Sequence, residues 1–183
     1  MFDTQSANFD VQGLSVALIQ AELGRREGGI PIGSALISPL DPDVGTEEVP
    51  ASGRIYIHGH GRNQRLQKSS AILHAEMDAL EKAGRLAPEV YKKATMFTTL
   101  RFASYVHKCM CTGAILLYGI PRVVIGENTN FKGEEDLLRS RGVEVVVLDN
   151  QRCKELMREF IRYHPEEWDE DVGGSKETSA RAS

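Results

Sequence analysis

Residues 69–84 read SSAILHAEMDALEKAG, and this stretch combines a helix pattern with side chains suited to metal chemistry. Leu73, Met77 and Leu80 recur at the i, i+4, i+7 spacing of one helix face, and Gly84 is a typical helix end. The two serines that open the stretch can cap the helix. The pattern therefore predicts an amphipathic helix that runs from the serine pair to the glycine.

His74 and Glu76 lie in the first turns of this predicted helix. A neutral imidazole can ligate zinc, and a carboxylate two residues further on can reach a water on the metal. Taken alone, a His-x-Glu triplet is common, and its simpler interpretation is a helix start at which Glu76 complements the helix dipole. A second potential ligand, Cys111, begins another predicted helix, so two helix N-termini could face one metal ion.

Around this centre, apolar periodicity predicts helices that alternate with strands after an opening hairpin. The order favours an α/β fold, a three-layer α/β/α sandwich around a mixed five-stranded sheet. Residues 39–52 read as a solvated loop, and the tail from Gly173 has a composition typical of disorder. The predicted helices are 10–27, 69–84, 110–118, 134–141 and 150–163, and the predicted strands are 30–38, 53–59, 94–100, 122–126 and 143–148.

Length and composition limit the number of domains and the class of partner. At 183 residues with 41% hydrophobic residues, the chain suits one globular domain. A formal net charge of -4 gives no broad positive field for nucleic acid. The three cysteines read poorly as a disulfide framework, and no stretch has the apolar length of a signal peptide or a membrane helix. We therefore expect a soluble cytoplasmic protein, which could also be nuclear, with neither nucleic acid nor a membrane as its partner.

Eight short motifs occur in an order that is characteristic of one protein family. They are GGIPIG at 28–33, GRN at 61–63, LHAE at 73–76, AGRL at 83–86, TTL at 98–100, MCTGA at 110–114, GIPR at 119–122 and GEN at 126–128. In these motifs the chain resembles the fungal-type cytosine deaminases, which belong to the cytidine and deoxycytidylate deaminase superfamily. The similarity continues through WDED at 168–171, so it covers residues 9–173.

The resemblance implies a cytidine deaminase-like fold with a single zinc domain over residues 9–173, followed by a disordered tail at 174–183. The implied activity is the hydrolytic deamination of free cytosine to uracil and ammonia, a reaction of pyrimidine salvage. The implied cofactor is Zn²⁺, the implied partner is the small-molecule substrate cytosine, and the implied assembly is a homodimer.

The resemblance also implies a role for each candidate site residue. His74 and Cys111 would ligate zinc, and Glu76 would be the catalytic residue that shuttles a proton from water to the base. Three groups would bind the pyrimidine edge, and three side chains would pack around the ring. The first set comprises Asn63, Asp171 and the backbone amide of Ala75, and the second comprises Ile32, Phe131 and Trp168.

One segment departs from the family pattern. The family has Ser-Pro-Cys-x-Met-Cys directly after Thr-Thr-Leu, whereas residues 101–111 of this chain read RFASYVHKCMC. The spacing would put the missing ligand at Lys108, which cannot ligate zinc while it is protonated. Cys109 could supply a thiolate if the segment is a loop, and His107 could supply a nitrogen from the same helical face as Cys111. A thiolate matches the expected ligand type, so Cys109 is the preferred third ligand.

The altered segment leaves other interpretations open. The chain could be a catalytically impaired pseudoenzyme or a partner subunit of the same fold, although Glu76 would then have no obvious reason to be retained. Deamination of adenosine in transfer RNA is a related activity. The net negative charge of the chain and its closing segment 168–171 argue against this activity. An incorrectly predicted exon boundary would also produce an abrupt mismatch within continuous similarity.

Overall fold

A computed structural model of the 183-residue chain describes residues 4–40, 55–100, 110–129 and 135–172. The predicted tail at 174–183 and almost all of the predicted loop at 39–52 lie outside these ranges. No helix in the described ranges is both long enough and apolar enough to cross a membrane. The elements, in chain order, are α1 (Thr4–Arg26), β1 (Gly33–Pro39), β2 (Ile55–Arg62), α2 (Ala75–Ala83), α3 (Pro88–Tyr91), β3 (Thr95–Leu100), α4 (Met110–Tyr118), β4 (Arg122–Glu127), α5 (Glu135–Ser140), β5 (Glu144–Val147), α6 (Gln151–Tyr163) and α7 (Pro165–Asp171).

The five strands form one mixed sheet in the order β2-β1-β3-β4-β5. β1 runs antiparallel to both β2 and β3, whereas β3, β4 and β5 are parallel to one another. β1 and β2 are the predicted opening hairpin. A parallel pair requires a crossover connection, and helices α4 and α5 lie in the two crossovers. The prediction of a mixed five-stranded sheet is therefore confirmed.

Helices cover both faces of the sheet, because consecutive strand residues point to opposite faces. α1 and α6 pack on one face, and α2, α4 and α5 pack on the other. The central strand β3 is buried at all six positions, as expected for a strand that is covered on both sides. This is the predicted α/β/α sandwich. The first face contributes Ala35, Ile37, Phe97 and Val124 to the core, and the second contributes Leu36, Met96, Val123 and Ile125.

The described helices differ from the prediction in three respects. α1 begins at Thr4, six residues before the predicted start at residue 10. α2 begins at Ala75 and not at the serine pair. Its N-cap is His74 in an extended conformation, and Ser69 has a positive φ of 48°, which turns the chain before the helix begins. The sequence pattern also does not predict α3 and α7, which have four and seven residues and are too short to show helical periodicity. Both begin with proline, which is favoured at the first helical position.

Helix α1 lies directly on the backbone of β1 at Gly33. A Cβ atom at Gly33 would lie 2.0 Å from the carbonyl oxygen of Ala17 and 2.5 Å from the backbone nitrogen of Ala21. Ala17 and Ala21 are both fully buried, so no large side chain separates the two backbones. The helix and the strand are therefore packed at a distance that only glycine permits at position 33.

We expect Gly33→Ala to lower the free energy of unfolding by about 3 kcal/mol, because the added methyl group would overlap the backbone of α1. The measurement is the midpoint of urea denaturation at constant zinc concentration.

The matched control is Gly113→Ala in α4, where an added Cβ would meet nothing within 4 Å. Alanine is the better helix former, so this variant should be unchanged or more stable by up to about 1 kcal/mol. Equal losses of stability in the two variants would contradict the close packing of α1 on β1.

Candidate metal centre and active site

One edge of the sheet collects the start of β1 and the ends of β2 and β3. This follows from strand direction, because β1 is antiparallel to both neighbours and pairs Ser34 with Thr98. Ile32 precedes β1 and Asn63 follows β2, so the topology brings these two predicted residues to the same edge. Ligand sites of α/β folds commonly lie beyond the carboxyl ends of parallel strands, and the carboxyl end of β3 is at this edge.

Three potential metal ligands converge beside this edge. The ligand atoms of His74, Glu76 and Cys111 all lie within 4.8 Å of one another. His74 Nδ1 lies 3.8 Å from Cys111 Sγ, and Glu76 Oε2 lies 3.3 Å from the same sulfur. His74 is the N-cap of α2, and Cys111 is the second residue of α4. The prediction that two helix N-termini meet at these residues is confirmed.

The distances in this cluster suit a zinc ion. Zinc binds histidine nitrogen at about 2.0–2.1 Å and cysteine sulfur at about 2.3 Å in tetrahedral geometry, which separates the two ligand atoms by about 3.6 Å. The 3.8 Å between the His74 nitrogen and the Cys111 sulfur is close to this value. A catalytic zinc commonly has three protein ligands. Cys109 and His107, the two candidates for the third, lie outside the described residues.

The carboxylate of Glu76 is held by the central strand. Thr98 Oγ1 lies 2.6 Å from Glu76 Oε1 and donates a hydrogen bond to it, while the other carboxylate oxygen faces Cys111. Glu76 is 4% exposed and Thr98 is fully buried, so water competes little for this bond. The role of Thr98 was not predicted from the sequence. The sequence feature that could have indicated a role is a threonine hydroxyl in the middle of a strand that is buried on both faces.

Asn63 and Asp171 come from opposite ends of the chain and meet at the site. Asn63 Nδ2 donates to Asp171 Oδ1 at 3.1 Å, and Asn63 Oδ1 accepts from the backbone N–H of Arg65 at 3.0 Å. The same Asp171 oxygen lies 4.0 Å from His74 Nε2, on the side of the imidazole away from Cys111. Both side chains are buried. The structure therefore brings these two predicted residues next to the potential metal ligands.

Arg65 belongs to the same network, although its role was not predicted from the sequence. Its Nη1 donates to Asp171 Oδ1 at 2.8 Å, and its Nη2 donates to Glu170. Burial lowers the pKa of the Arg65 guanidinium, but the hydrogen bonds to Asp171 and Glu170 outweigh it, so that the pKa lies above its ordinary value. No local pattern could have revealed this contact, because Asp171 lies 106 residues away along the chain.

An apolar wall completes the described part of the site. Ile32, Ala75 and Trp168, all predicted to contact the substrate, share one buried cluster with Leu100 at the end of β3. Trp168 is carried by α7 and is 7% exposed. Ala75 is the first residue of α2, where backbone N–H groups have no partner within the helix. Phe131, the remaining predicted contact, lies outside the described residues.

Cys153 lies on the opposite side of the sheet from this centre. Its side chain is 1% exposed and packs with Phe97 and Val124 beneath α1. Burial, together with the nearby charge of Glu127, raises the pKa of the Cys153 thiol to about 12. A thiol in this setting is a small core residue and not a nucleophile.

The sequence and the fold match those of known proteins. The family profile described as "Cytidine and deoxycytidylate deaminase zinc-binding region" matches residues 40–127. The cytosine deaminase of Candida albicans is 52% identical over 164 residues, which cover 90% of this chain and 97% of that protein. A tRNA-specific adenosine deaminase of Streptococcus pyogenes is 33% identical over 122 residues, which cover 66% of this chain and 65% of that protein.

A solved structure shares the fold at low sequence identity. The crystal structure of the Rib2 deaminase of Aspergillus oryzae matches with a TM-score of 0.58 and 20% identity, covering 92% of this chain and 99% of that one. The identity to the Candida protein extends over most of both sequences and includes the elements that carry His74, Glu76 and Cys111. The chain therefore belongs to the cytosine deaminase family, within the cytidine and deoxycytidylate deaminase superfamily.

Proposed function

We propose that this chain is a zinc-dependent hydrolase that converts free cytosine and water to uracil and ammonia. The observation that carries the proposal is the convergence of His74, Glu76 and Cys111 within 4.8 Å at the starts of two helices. Cytosine is the proposed substrate because the Candida albicans relative is a cytosine deaminase and is similar over nearly its whole length.

Deamination of adenosine in transfer RNA is the alternative substrate choice, and two observations disfavour it. The similarity to the Streptococcus pyogenes enzyme covers about two thirds of that protein, at lower identity. The net charge of -4 also provides little of the electrostatic attraction on which binding to a nucleic acid backbone depends.

In this proposal, His74 and Cys111 hold the zinc ion, with Cys109 as the third ligand and His107 as its alternative. A bound zinc ion supplies Lewis acidity, which lowers the pKa of a coordinated water to about 7. The start of each of the two helices contributes the positive end of its dipole to the site.

Glu76 is the proposed proton shuttle. The hydrogen bond from Thr98 holds one carboxylate oxygen, so the other oxygen stays directed toward Cys111 and the metal ligands. From this position Glu76 takes one proton from the attacking water and delivers it to the ring nitrogen beside the attacked carbon. It then passes the proton of the added hydroxyl to the exocyclic amine, so that the C–N bond breaks, ammonia leaves and the carbonyl of uracil forms. A fixed carboxylate needs little reorganisation between these two steps.

Asn63, Asp171 and the backbone amide of Ala75 are proposed to bind the polar edge of the pyrimidine. Their placement supports this role, because Asn63 and Asp171 are in contact and Asp171 lies 4.0 Å from His74. Ile32, Trp168 and Phe131 are proposed to pack against the ring and exclude water from the reacting carbon.

We assign the deaminase domain to residues 9–173 and a tail to 174–183. Consumption of a free base is the chemistry of pyrimidine salvage, and we propose the cytoplasm as the setting.

Glu76→Gln should lower the rate of ammonia release from cytosine by about 10² to 10⁴-fold, because the amide cannot accept and return a proton. Zinc content should stay at the wild-type value. The assay follows ammonia and uracil together.

The control for Glu76 is Glu155→Gln, an exposed carboxylate on α6. It should leave the rate unchanged. Wild-type activity in the Glu76 variant would contradict the role of Glu76 as proton shuttle. Deamination of transfer RNA without deamination of cytosine would overturn the choice of substrate.

The purified chain should contain about one zinc ion, and His74→Ala and Cys111→Ala should each lose it. Cys109→Ser should lose zinc while His107→Ala keeps it, and the reverse result would move the third ligand to His107. Metal analysis of the folded variants measures this, with Cys153→Ala as the cysteine control. A folded wild-type chain without zinc would refute the proposed enzymatic function and favour the pseudoenzyme alternative.

We also propose that a second copy of the chain covers an apolar surface on α4. Leu117 is 78% exposed, and the adjacent Tyr118 stacks on Tyr91 with ring centroids 4.7 Å apart. Light scattering should give twice the mass of one chain, and Leu117→Asp should give monomers, because a buried carboxylate without a partner is costly. Ile19→Asp, at an exposed position on α1, should remain dimeric. A monomeric wild-type chain would contradict this proposal.

A further inference from the structure

We propose that Arg65 is a latch that holds helix α7 over the site and orients the carboxylate of Asp171. Arg65 is therefore a positioning residue that acts through Asp171. The effect on substrate binding rests on the proposed function, whereas the docking of α7 can be measured without any substrate.

The geometry of Arg65 carries this inference. One guanidinium group donates to two successive carboxylates of α7, from Nη1 to Asp171 at 2.8 Å and from Nη2 to Glu170. Its side chain is 11% exposed, and that of Asp171 is 3% exposed. Within the part of the chain that the structure describes, the buried Arg65 Nε has no hydrogen-bond partner. The hydrogen bonds described for this side chain thus all go to α7, and the planar fork of arginine suits two acceptors at once.

Helix α7 depends on such external contacts. It has seven residues, which is far below the length at which an isolated helix is stable in water. On one side Trp168 packs into the apolar cluster with Ile32 and Ala75. On the other side, the ion pairs to Arg65 join α7 to the segment that follows β2. Removal of the ion pairs should leave α7 attached through Trp168 and through the hydrogen bond between Asn63 and Asp171.

Arg65 and Glu170 also line a surface groove next to the buried residues of the site. Asn63, Asp171 and Trp168 are at most 7% exposed, so a movement of α7 would make them more accessible to a base. An open groove of about 380 Å³ lies beside the latch and is lined by Arg65, Leu66, Ser69 and Glu170, among others. Release of Arg65 from Glu170 would connect this groove to the buried Asp171. A stronger interaction between Arg65 and α7 would then orient Asp171 more firmly but slow the entry of the base.

The chain contains a reporter for this movement, because Trp168 on α7 is its only tryptophan. In Arg65→Gln, acrylamide quenching of tryptophan fluorescence without substrate should increase about twofold or more, since α7 spends more time undocked. The KM for cytosine should rise about tenfold, with a much smaller change in kcat, because a charged hydrogen bond to the binding carboxylate is lost. Arg65→Lys should be intermediate, since one ammonium group replaces the fork.

The matched control is Arg62→Gln. Arg62 lies three residues earlier and forms a similar fork, with bonds of 2.8 and 2.7 Å to Glu27, a residue outside the site. Its loss should leave both the quenching and the KM at wild-type values. Glu170→Gln is a second test variant, because its 60% exposed side chain can change without disturbing the core. It should increase the quenching by less than Arg65→Gln does.

Wild-type quenching in Arg65→Gln would overturn the latch, as would equal increases in Arg65→Gln and Arg62→Gln. Increased quenching with an unchanged KM would overturn the positioning of Asp171. If the wild-type chain does not deaminate cytosine, the proposed function fails, and the quenching comparison still decides whether Arg65 docks α7.

Discussion

The close approach of helix backbones to the sheet is the constraint on which the rest of this structure depends. On the face opposite α1, a Cβ atom at Gly59 would lie 2.3 Å from the carbonyl oxygen of Ala79, and one at Gly61 would lie 2.5 Å from its nitrogen. Glycine in β2 therefore allows α2 to lie directly on the strand. Because α2 cannot move away from or along the sheet without losing this fit, the position of its first turn is set by backbone contact.

The close contact between α2 and the sheet fixes the positions of the site residues. His74 is the N-cap of α2 and Glu76 lies in its first turn, and the Thr98 hydroxyl of β3 contacts Glu76 because helix and sheet are this close. The buried face of α4 brings Cys111 to the same point. Side chains on rigid elements are better positioned than side chains on loops, which matters for a metal with strict ligand distances.

Periodicity and motif spacing predicted the features that arise from local sequence. The five strands and the three layers could be predicted, because alternation and helical spacing encode burial directly. The shared site of His74, Glu76 and Cys111 was implied by the resemblance to the fungal-type cytosine deaminases. The start of α2 was predicted wrongly, since serine is a common cap but a turn at Ser69 delays the helix. Arg65 could not be found, because its partners on α7 are brought to it by the tertiary fold alone. Cys109, His107 and Phe131 lie outside the described residues, and their roles stay predictions.

Two of the stretches of chain that form the site have different tasks. The cluster of metal ligands comes from residues 74–111, within the tightly packed helices and sheet. The covering surface comes in part from α7, a short helix that no strand follows within the described residues. Changes in α7 could therefore alter the size or shape of the accepted base while the metal ligands keep their geometry. Such a division would let one scaffold diverge in substrate choice through a few substitutions in a peripheral segment.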